Sequence, residues 1–567
     1  MDRGRSAVMG FRAIRHFTSR SGVYLWIVPL VFLVLFFLMP MARIFSVLLT
    51  RPGVVEVKAI LEPLWFTIWQ AVLSTGLTLI LGLPAAFVFS RFKFPGRKLF
   101  RLFTTLPFIL PTVVVAAGFS ALLGPRGLIN TFLMKWLALE SPPLVVMNTL
   151  GVILLAHVFY NLSIVIRVVG SAISQLDPRL EQAGQVLGAS RLKVLREITL
   201  PLLRPSILVA VLMVFLFDFM SFGVILLLGG PRFSTLEVAI YTQTLSMFDL
   251  KTAGVLSLLQ LLCTIGLTFL YARVNGRRII PLMPSLRSEG SRAPEGFYEN
   301  GFVTLILILL VLILVLPLAA LAIRSLTSTD ATLLSGNRFS FVFYRELFRN
   351  PQNSYFYVPP VQAALNSIFY ALITVILSVF LGVLTAYTQV RFRAAQTWMD
   401  LLIMLPLGTS AVTLGLAFLI TFKGPPIDVK SFPLLIPIVH SLVALPFMVR
   451  IVQPALASIP DSVRGAAATL GASPWRVWRE IEAPIIARAI FVGALFSFTI
   501  SLGEFGATSF LARPETPTLP IAIYRFFSQP GSMNYGQAMA MATLLMVVCG
   551  VSIAILDLIQ RSTQGDY

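Results

Sequence analysis

Cysteine is nearly missing from this chain. Only Cys263 and Cys549 occur in 567 residues, both inside apolar runs, which excludes a secreted disulfide framework and a thiolate metal site. Charge is scarce as well: 12% of the residues are Asp, Glu, Lys or Arg. No G-x-x-x-x-G-K-[ST] phosphate loop is present, because the nearest string, GPPIDVKS from Gly424, lacks the glycine before lysine. The chain is therefore not expected to hold a nucleotide through such a loop. Nor is there a paired nucleophile and base, or a cluster of metal ligands, of the kind an intramembrane enzyme needs. What is abundant is apolar surface, with 57% hydrophobic residues and a mean hydropathy of +0.87. That is more than a soluble core hides, and it places the chain in a bilayer. The net charge of +20 does not indicate nucleic acid, since Lys and Arg sit in short loops between apolar runs rather than in a basic domain. It reads instead as a topology signal facing anionic lipid.

A spanning helix needs about 20 mostly apolar residues to cross roughly 30 Å of hydrocarbon. Twelve stretches qualify, which predicts an all-α polytopic membrane protein. Six are centred on Val23 to Ile44, Leu64 to Ser90, Leu102 to Leu123, Asn148 to Val169, Pro205 to Leu228 and Ala253 to Tyr271. Six more follow at Phe302 to Ile323, Val361 to Thr388, Asp400 to Phe422, Phe432 to Val452, Ile485 to Leu511 and Ala538 to Ile559. The first run follows Arg3, Arg5, Arg12, Arg15 and Arg20 as a secretory signal would, but no small-residue cleavage site follows it, and it reads as a retained anchor. Basic residues concentrate in the N-terminus, in Arg91 to Arg101, in Arg167 to Arg204 and in a segment with Arg273, Arg277, Arg278, Arg287 and Arg292. Cytoplasmic loops retain positive charge, so both termini are expected inside.

Residues 273–300 turn polar, with Gly, Pro, Ser and Arg prominent, the composition of a linker. It separates a first repeat of six spans, 1–272, from a second, 301–567. An even count in each half makes them parallel repeats. The duplication is visible residue by residue. Gly188, Ala189 and Ser190 recur as Gly471, Ala472 and Ser473, an offset of 283 (471 minus 188) that also pairs His157 with His440, Arg196 with Arg479, Glu197 with Glu480 and Pro201 with Pro484. Earlier in each half the offset is 300, with Gly82, Arg91 and Phe92 matching Gly382, Arg391 and Phe392.

The most similar stretch is a loop between the fourth and fifth spans, EQAGQVLGASRLKVLREITLP from Glu181 and RGAAATLGASPWRVWREIEAP from Arg464. Each predicts two short helices joined at the Gly-Ala-Ser corner. Ala183, Gly184 and Leu187 form a small-residue face, and Gly188 supplies a conformation closed to bulkier residues. Ser190 and Ser473 cap the following helix, Pro474 takes its first position, and Val194, Ile198 and Leu195 or Trp478 give an apolar face. Pro201 and Pro484 are expected to end the element. A single amphipathic helix of this kind could lie on lipid. Two matched copies argue for docking to a symmetric partner.

With its Gly188 to Pro201 spacing, Ile198 and Leu200, the loop resembles the EAA loop of binding-protein-dependent importer permeases, the type I fold of the ABC superfamily. The resemblance covers nearly the whole chain, twice. It implies that Gln182, Ala183, Gly184, Gly188, Ala189, Ser190, Glu197 and Pro201, with Gly465, Ala466, Ala467, Gly471, Ala472, Ser473, Glu480 and Pro484, form coupling helices seated on a cytoplasmic ATPase homodimer. It implies too an extracytoplasmic solute-binding protein, ATP and Mg held by the ATPase rather than by this chain, and residence in a bacterial or archaeal cytoplasmic membrane. The sequence departs from the family pattern at Gln182 and Gly465, where the family carries Glu, and at Ala483 in place of Leu200.

Charged residues deep in spans cost roughly 2.5 to 3.5 kcal/mol on insertion scales, so Asp218 and Glu504 are candidates for the translocation path. In the repeat register Asp218 faces Ser501, and Ser221 faces Glu504. Two such carboxylates favour a cation; the alternative is that they pair with an internal Arg or cap a break near Gly503 and Gly506. His157 and His440 are either metal ligands or structural hydrogen-bonding groups. Fused double permeases of this length resemble those for thiamine and ferric iron, and SFGVILLLGGPRFSTLEVAIY and SLGEFGATSFLARPETPTLPIAIY resemble the thiamine type most. The second string also resembles molybdate and sulfate permeases. An ion-coupled secondary transporter would show two six-span halves as well, but has no need of two docking loops.

Overall fold

The computed structural model describes residues 25–50, 55–275, 291–328, 339–349, 359–391, 393–424, 427–429 and 431–562. The N-terminal arginines and Arg277, Arg278 and Arg287 of the linker lie outside the described residues. Among the described residues eleven helices are long and apolar enough to cross a membrane. They are α1 Leu25–Thr50, α2 Val57–Arg91, α3 Thr112–Leu137 (with a turn at 124–127), α4 Leu150–Gln175, α5 Leu192–Phe219 and α6 Leu250–Val274. The others are α7 Gly296–Arg324, α8 Pro360–Arg391, α9 Leu435–Ala457, α10 Pro474–Gly503 and α11 Ser532–Ile559. Helices satisfy every backbone group within one segment, which hydrocarbon demands. Among the described residues the named strands are a two-residue antiparallel pair, Lys423–Gly424 with Ile427–Asp428.

Four expected spans differ from the observed helices, in each case at a break. The stretch from Leu102 to Leu123 is split into a helix Arg97–Thr105, a 3-10 turn Leu106–Phe108 and then α3. Pro107 and Pro111 explain it, since the residue before a proline is pushed out of helical geometry and proline donates no hydrogen bond. Asp400 to Phe422 is likewise two pieces, Arg393–Met404 and an eleven-residue helix Ala411–Thr421 capped by the Ser410 hydroxyl. The fifth spans, expected to run through Leu228 and Leu511, stop at Phe219 and Gly503 and resume as short helices Gly223–Leu228 and Thr508–Leu511.

The chain forms two compact units. One comprises residues 52–352 and 520–555, and the other residues 1–51, 353–519 and 556–567. The terminal segments are thus exchanged relative to the sequence repeat. Helix α1 joins the unit of α8, α9 and α10, where Phe36 meets Phe422 with ring centroids 6.0 Å apart. Helix α7 joins the unit of α2 to α6, and a Cβ on Gly118 of α3 would stand 3.1 Å from the Pro317 carbonyl oxygen of α7.

Each unit has at its centre a three-helix packing that fixes the loop of interest. In one, α2, α4 and α5 meet through Ala86, Val165, Val169, Val209, Ala210 and Val214. In the other, α8, α9 and α10 meet through Ala386, Met448, Val452, Leu456 and Ile486. Gly82 lies so close to Val165 that an added Cβ would approach it to 2.7 Å, and its repeat mate Gly382 is pressed on Met448. Small residues permit this approach, and close packing is what holds helices together where lipid competes for apolar contact.

Candidate functional site

The two repeated loops have the same backbone. In the first, the Asp177 carboxylate accepts the Arg179 N–H at 2.9 Å and starts the helix Pro178–Val186. It ends with the Gly188 N–H on the Gln185 carbonyl at 2.9 Å and the Ala189 N–H on the Gly184 carbonyl at 3.1 Å, with Gly188 at φ +85°. In the second, Gly471 bonds Ala468 at 3.0 Å, Ala472 bonds Ala467 at 3.0 Å, and Gly471 has φ +80°. This double bond past a left-handed residue is a Schellman cap, and glycine is the residue that occupies it without steric cost. The Ser190 and Ser473 hydroxyls accept the N–H of Lys193 and Arg476, each at 3.3 Å, and Pro474 stands in the first turn of its helix.

Pro201 and Pro484 do not end the element. A π-turn precedes each, Leu195–Thr199 and Trp478–Glu482, in which Leu200 bonds back to Leu195 and Ala483 to Trp478. The wider turn shifts the ladder by one residue, and the helix continues past a proline that an α-turn would reject. Loop and span are consequently one rod, Leu192–Phe219 and Pro474–Gly503. The small-residue face is also narrower than expected. Gly184 is buried, and a Cβ there would meet Ile198 Cδ1 at 2.8 Å, while Ala183 and Leu187 face outward. Leu187 is 87% exposed and its mate Leu470 88%, with Val186, Leu192 and Trp475 also exposed. Large apolar side chains are thus left open on both loops.

A carboxylate ties each loop to the end of an earlier span, α2 or α8. Arg91, at the end of α2, meets Glu181 at 2.7 Å, and the Thr199 hydroxyl donates to the same Glu181 oxygen at 2.9 Å. In the other unit Arg391, at the end of α8, meets Glu482 at 3.0 Å, and Arg464 Nε meets the same oxygen at 2.6 Å. Sequence reasoning matched Arg91 with Arg391 but passed over their partners.

The four candidate path residues stand at the breaks that end α5 and α10. His157 of α4 bonds the Ser74 hydroxyl at 2.9 Å through Nδ1 and the Ser221 hydroxyl at 2.8 Å through Nε2. Asp218 accepts the Asn161 amide at 2.6 Å, and Gln70 donates to its main-chain carbonyl at 2.8 Å. The Asp218 side chain is buried and its Oδ2 has no hydrogen-bond partner. In the other unit, His440 bonds Ser501 and Thr508, each at 2.8 Å. Glu504 accepts the N–H groups of Ala507 at 2.7 Å and Thr508 at 2.9 Å, the geometry of a cap on the helix that resumes at Thr508. Both histidines have each ring nitrogen on a hydroxyl, and each also stands beside a carboxylate, His157 Nδ1 3.5 Å from Asp218 and His440 Nε2 3.2 Å from Glu504. Among the described residues no group of three His, Cys, Asp or Glu side chains gathers to hold a metal ion. Ser74, Gln70, Asn161 and Thr508 were not anticipated, since isolated polar residues in spans carry no pattern.

Residues 378–564 match the family described as binding-protein-dependent transport system inner membrane component. The thiamine transport system permease protein of Brucella abortus is 28% identical over 509 residues, covering 87% of this chain and 86% of the relative. That of Escherichia coli is 26% identical over 503 residues, covering 87% and 88%. A probable ABC transporter permease protein of Sinorhizobium fredii is 26% identical over 513 residues, covering 88% of each. A bacterial ABC transporter that imports alginate aligns in structure over 48% of this chain and 100% of its own, with 20% identity and a TM-score of 0.38.

Proposed function

We propose that this chain, a fused two-repeat permease of the binding-protein-dependent ABC importer family, forms the transmembrane path for thiamine or a closely related organic cation. The observation that carries the reading is the extent of similarity to thiamine permeases, 87% of this chain against 86% to 88% of theirs, so that both repeats take part. Two loops of identical backbone support it, each rigidly continuous with a span that ends in a polar break. In this reading a homodimeric ATPase on the cytoplasmic side grips both loops, and an extracytoplasmic binding protein delivers the cargo. Closure of the ATPase pair then moves α5 and α10 as rods and opens the path on alternate sides. The termini and the 273–300 linker face the cytoplasm. Glu504 is engaged as a cap, whereas Asp218 keeps one buried carboxylate oxygen without a hydrogen-bond partner, with its other oxygen 3.5 Å from His157 Nδ1.

The test is reconstitution in proteoliposomes with the ATPase and binding protein, following labelled thiamine. Uptake that requires ATP and the binding protein is the expected result. Uptake that persists without ATP, or runs on an ion gradient, overturns the reading; ATP-driven uptake of ferric iron or an oxyanion in place of thiamine overturns the cargo alone.

A further inference from the structure

The two clamps on the loops are built from different residues in the same place. At the offset of 283, Glu181 corresponds to Arg464 (464 minus 283) and Thr199 to Glu482 (482 minus 283). The carboxylate has therefore crossed from the helix before the Gly corner to the turn after it, while the arginine that ends α2 or α8, Arg91 or Arg391, is kept at its offset of 300. Either change alone would fail electrostatically. Arg464 without Glu482 would leave two guanidinium groups facing one another, and Glu482 opposite a second carboxylate at 464 would place like charges in a buried site. Together they restore one carboxylate oxygen shared by the span end, the first loop helix and the turn that begins the rod.

The placement is specific as well as conserved between the copies. The Glu482 side chain is 1% exposed and Arg464 9%, and Arg464 also donates to the Ile459 carbonyl at 2.8 Å and the Leu456 carbonyl at 3.1 Å, at the end of α9. Arg391 lies over the Tyr387 ring, 5.3 Å from its centroid, and Tyr387 meets Trp478 of the π-turn edge to face at 5.5 Å. In the first loop Glu181 is 25% exposed and Arg91 16%.

We propose that Arg91, Glu181 and Thr199 in one loop, and Arg391, Glu482 and Arg464 in the other, are positioning residues that lock each loop to a third span, α2 or α8. Movement at the loop is thereby passed to three helices at once rather than to two. The inference rests on the proposed importer function and adds residues outside the loop corner to the coupling machinery.

The experiment uses the complex reconstituted with its ATPase and binding protein, measuring ATP hydrolysis and labelled thiamine uptake in the same vesicles. The wild type is compared with Glu181→Gln, with Glu181→Arg and with the pair Glu181→Arg and Thr199→Glu, which rebuilds the second loop's clamp in the first. The single substitutions are expected to lower uptake per ATP hydrolysed by about tenfold, within the usual range of coupling energies, while the ATPase still copurifies. The pair is expected to recover to within about twofold of wild type. An unchanged ratio in the single variants, loss of uptake only in proportion to assembled complex, or a pair no better than Glu181→Arg would overturn the clamp. A wild type without ATP-driven uptake overturns the parent reading and the clamp with it.

Discussion

The two loops differ in their charges and agree in their backbone. Both keep the left-handed glycine, the serine cap, the π-turn and the proline, yet one holds a half-open pair of Glu181 with Arg91 and the other a buried carboxylate between two arginines. What the two copies share is the geometry of the loop and its attachment to α2 or α8; the charges of the attachment differ by compensating changes. The second attachment is the stiffer of the two. Its carboxylate is shielded from water, and Trp478 packs against Tyr387 where the first loop has the exposed Leu195. The first loop has a support of its own, because the end of the linker pairs with the end of α2: the Arg292 N–H donates to the Arg91 carbonyl at 3.1 Å and the Lys93 N–H to the Arg292 carbonyl at 2.7 Å.

That contrast can be broken in order of effect. Glu482→Gln removes a carboxylate that is 1% exposed and leaves the buried Arg464 with Asp461 as its remaining acidic partner, and it is expected to destabilise the protein by about 3–5 kcal/mol, the usual cost of removing one partner of a buried pair. Glu181→Gln, where the carboxylate removed is itself 25% exposed, is expected to cost about 1–2 kcal/mol. Thermal unfolding in detergent compares the two, and equal losses would erase the distinction between the clamps. Gly188→Ala and Gly471→Ala come next. An added Cβ meets nothing within 4 Å at either position, so the cost is the left-handed backbone alone, about 1–2 kcal/mol and the same in both loops; a large difference between them would mean that the corners are not equivalent. Ser190→Ala and Ser473→Ala remove matched caps and are expected to cost about 1 kcal/mol each, again read from the melting temperature.

Where a residue acts through its own backbone, the sequence was enough. Gly188, Gly471, Ser190, Ser473 and Pro474 each do locally what their chemistry predicts, and the repeat register located them without a structure. Hydropathy found the spans but not their interruptions, because Pro107, Pro111 and Pro406 change backbone direction without lowering apolar content. Pro201 and Pro484 misled for the converse reason: a π-turn accommodates a proline that local rules treat as a stop. The exchange of α1 and α7 between the compact units is a matter of tertiary packing, to which no local signal points. Glu504 lies between these cases, since glycines on either side suggest a break but only the folded structure gives its carboxylate two N–H donors. The clamps were legible in principle. Arg91 and Arg391 were matched, and the reciprocal change of Glu181 to Arg464 and Thr199 to Glu482 stood in the same register, but opposite charges at matched positions look like divergence until the distances show them compensating.

The central claim is that the Gly corners of both loops are gripped by the ATPase. A photoreactive residue placed at Leu187, and separately at Leu470, in the complex assembled in membranes measures it directly. The account predicts adducts with the ATPase subunit from both positions; adducts confined to lipid, or ATPase capture from one loop only, would contradict it.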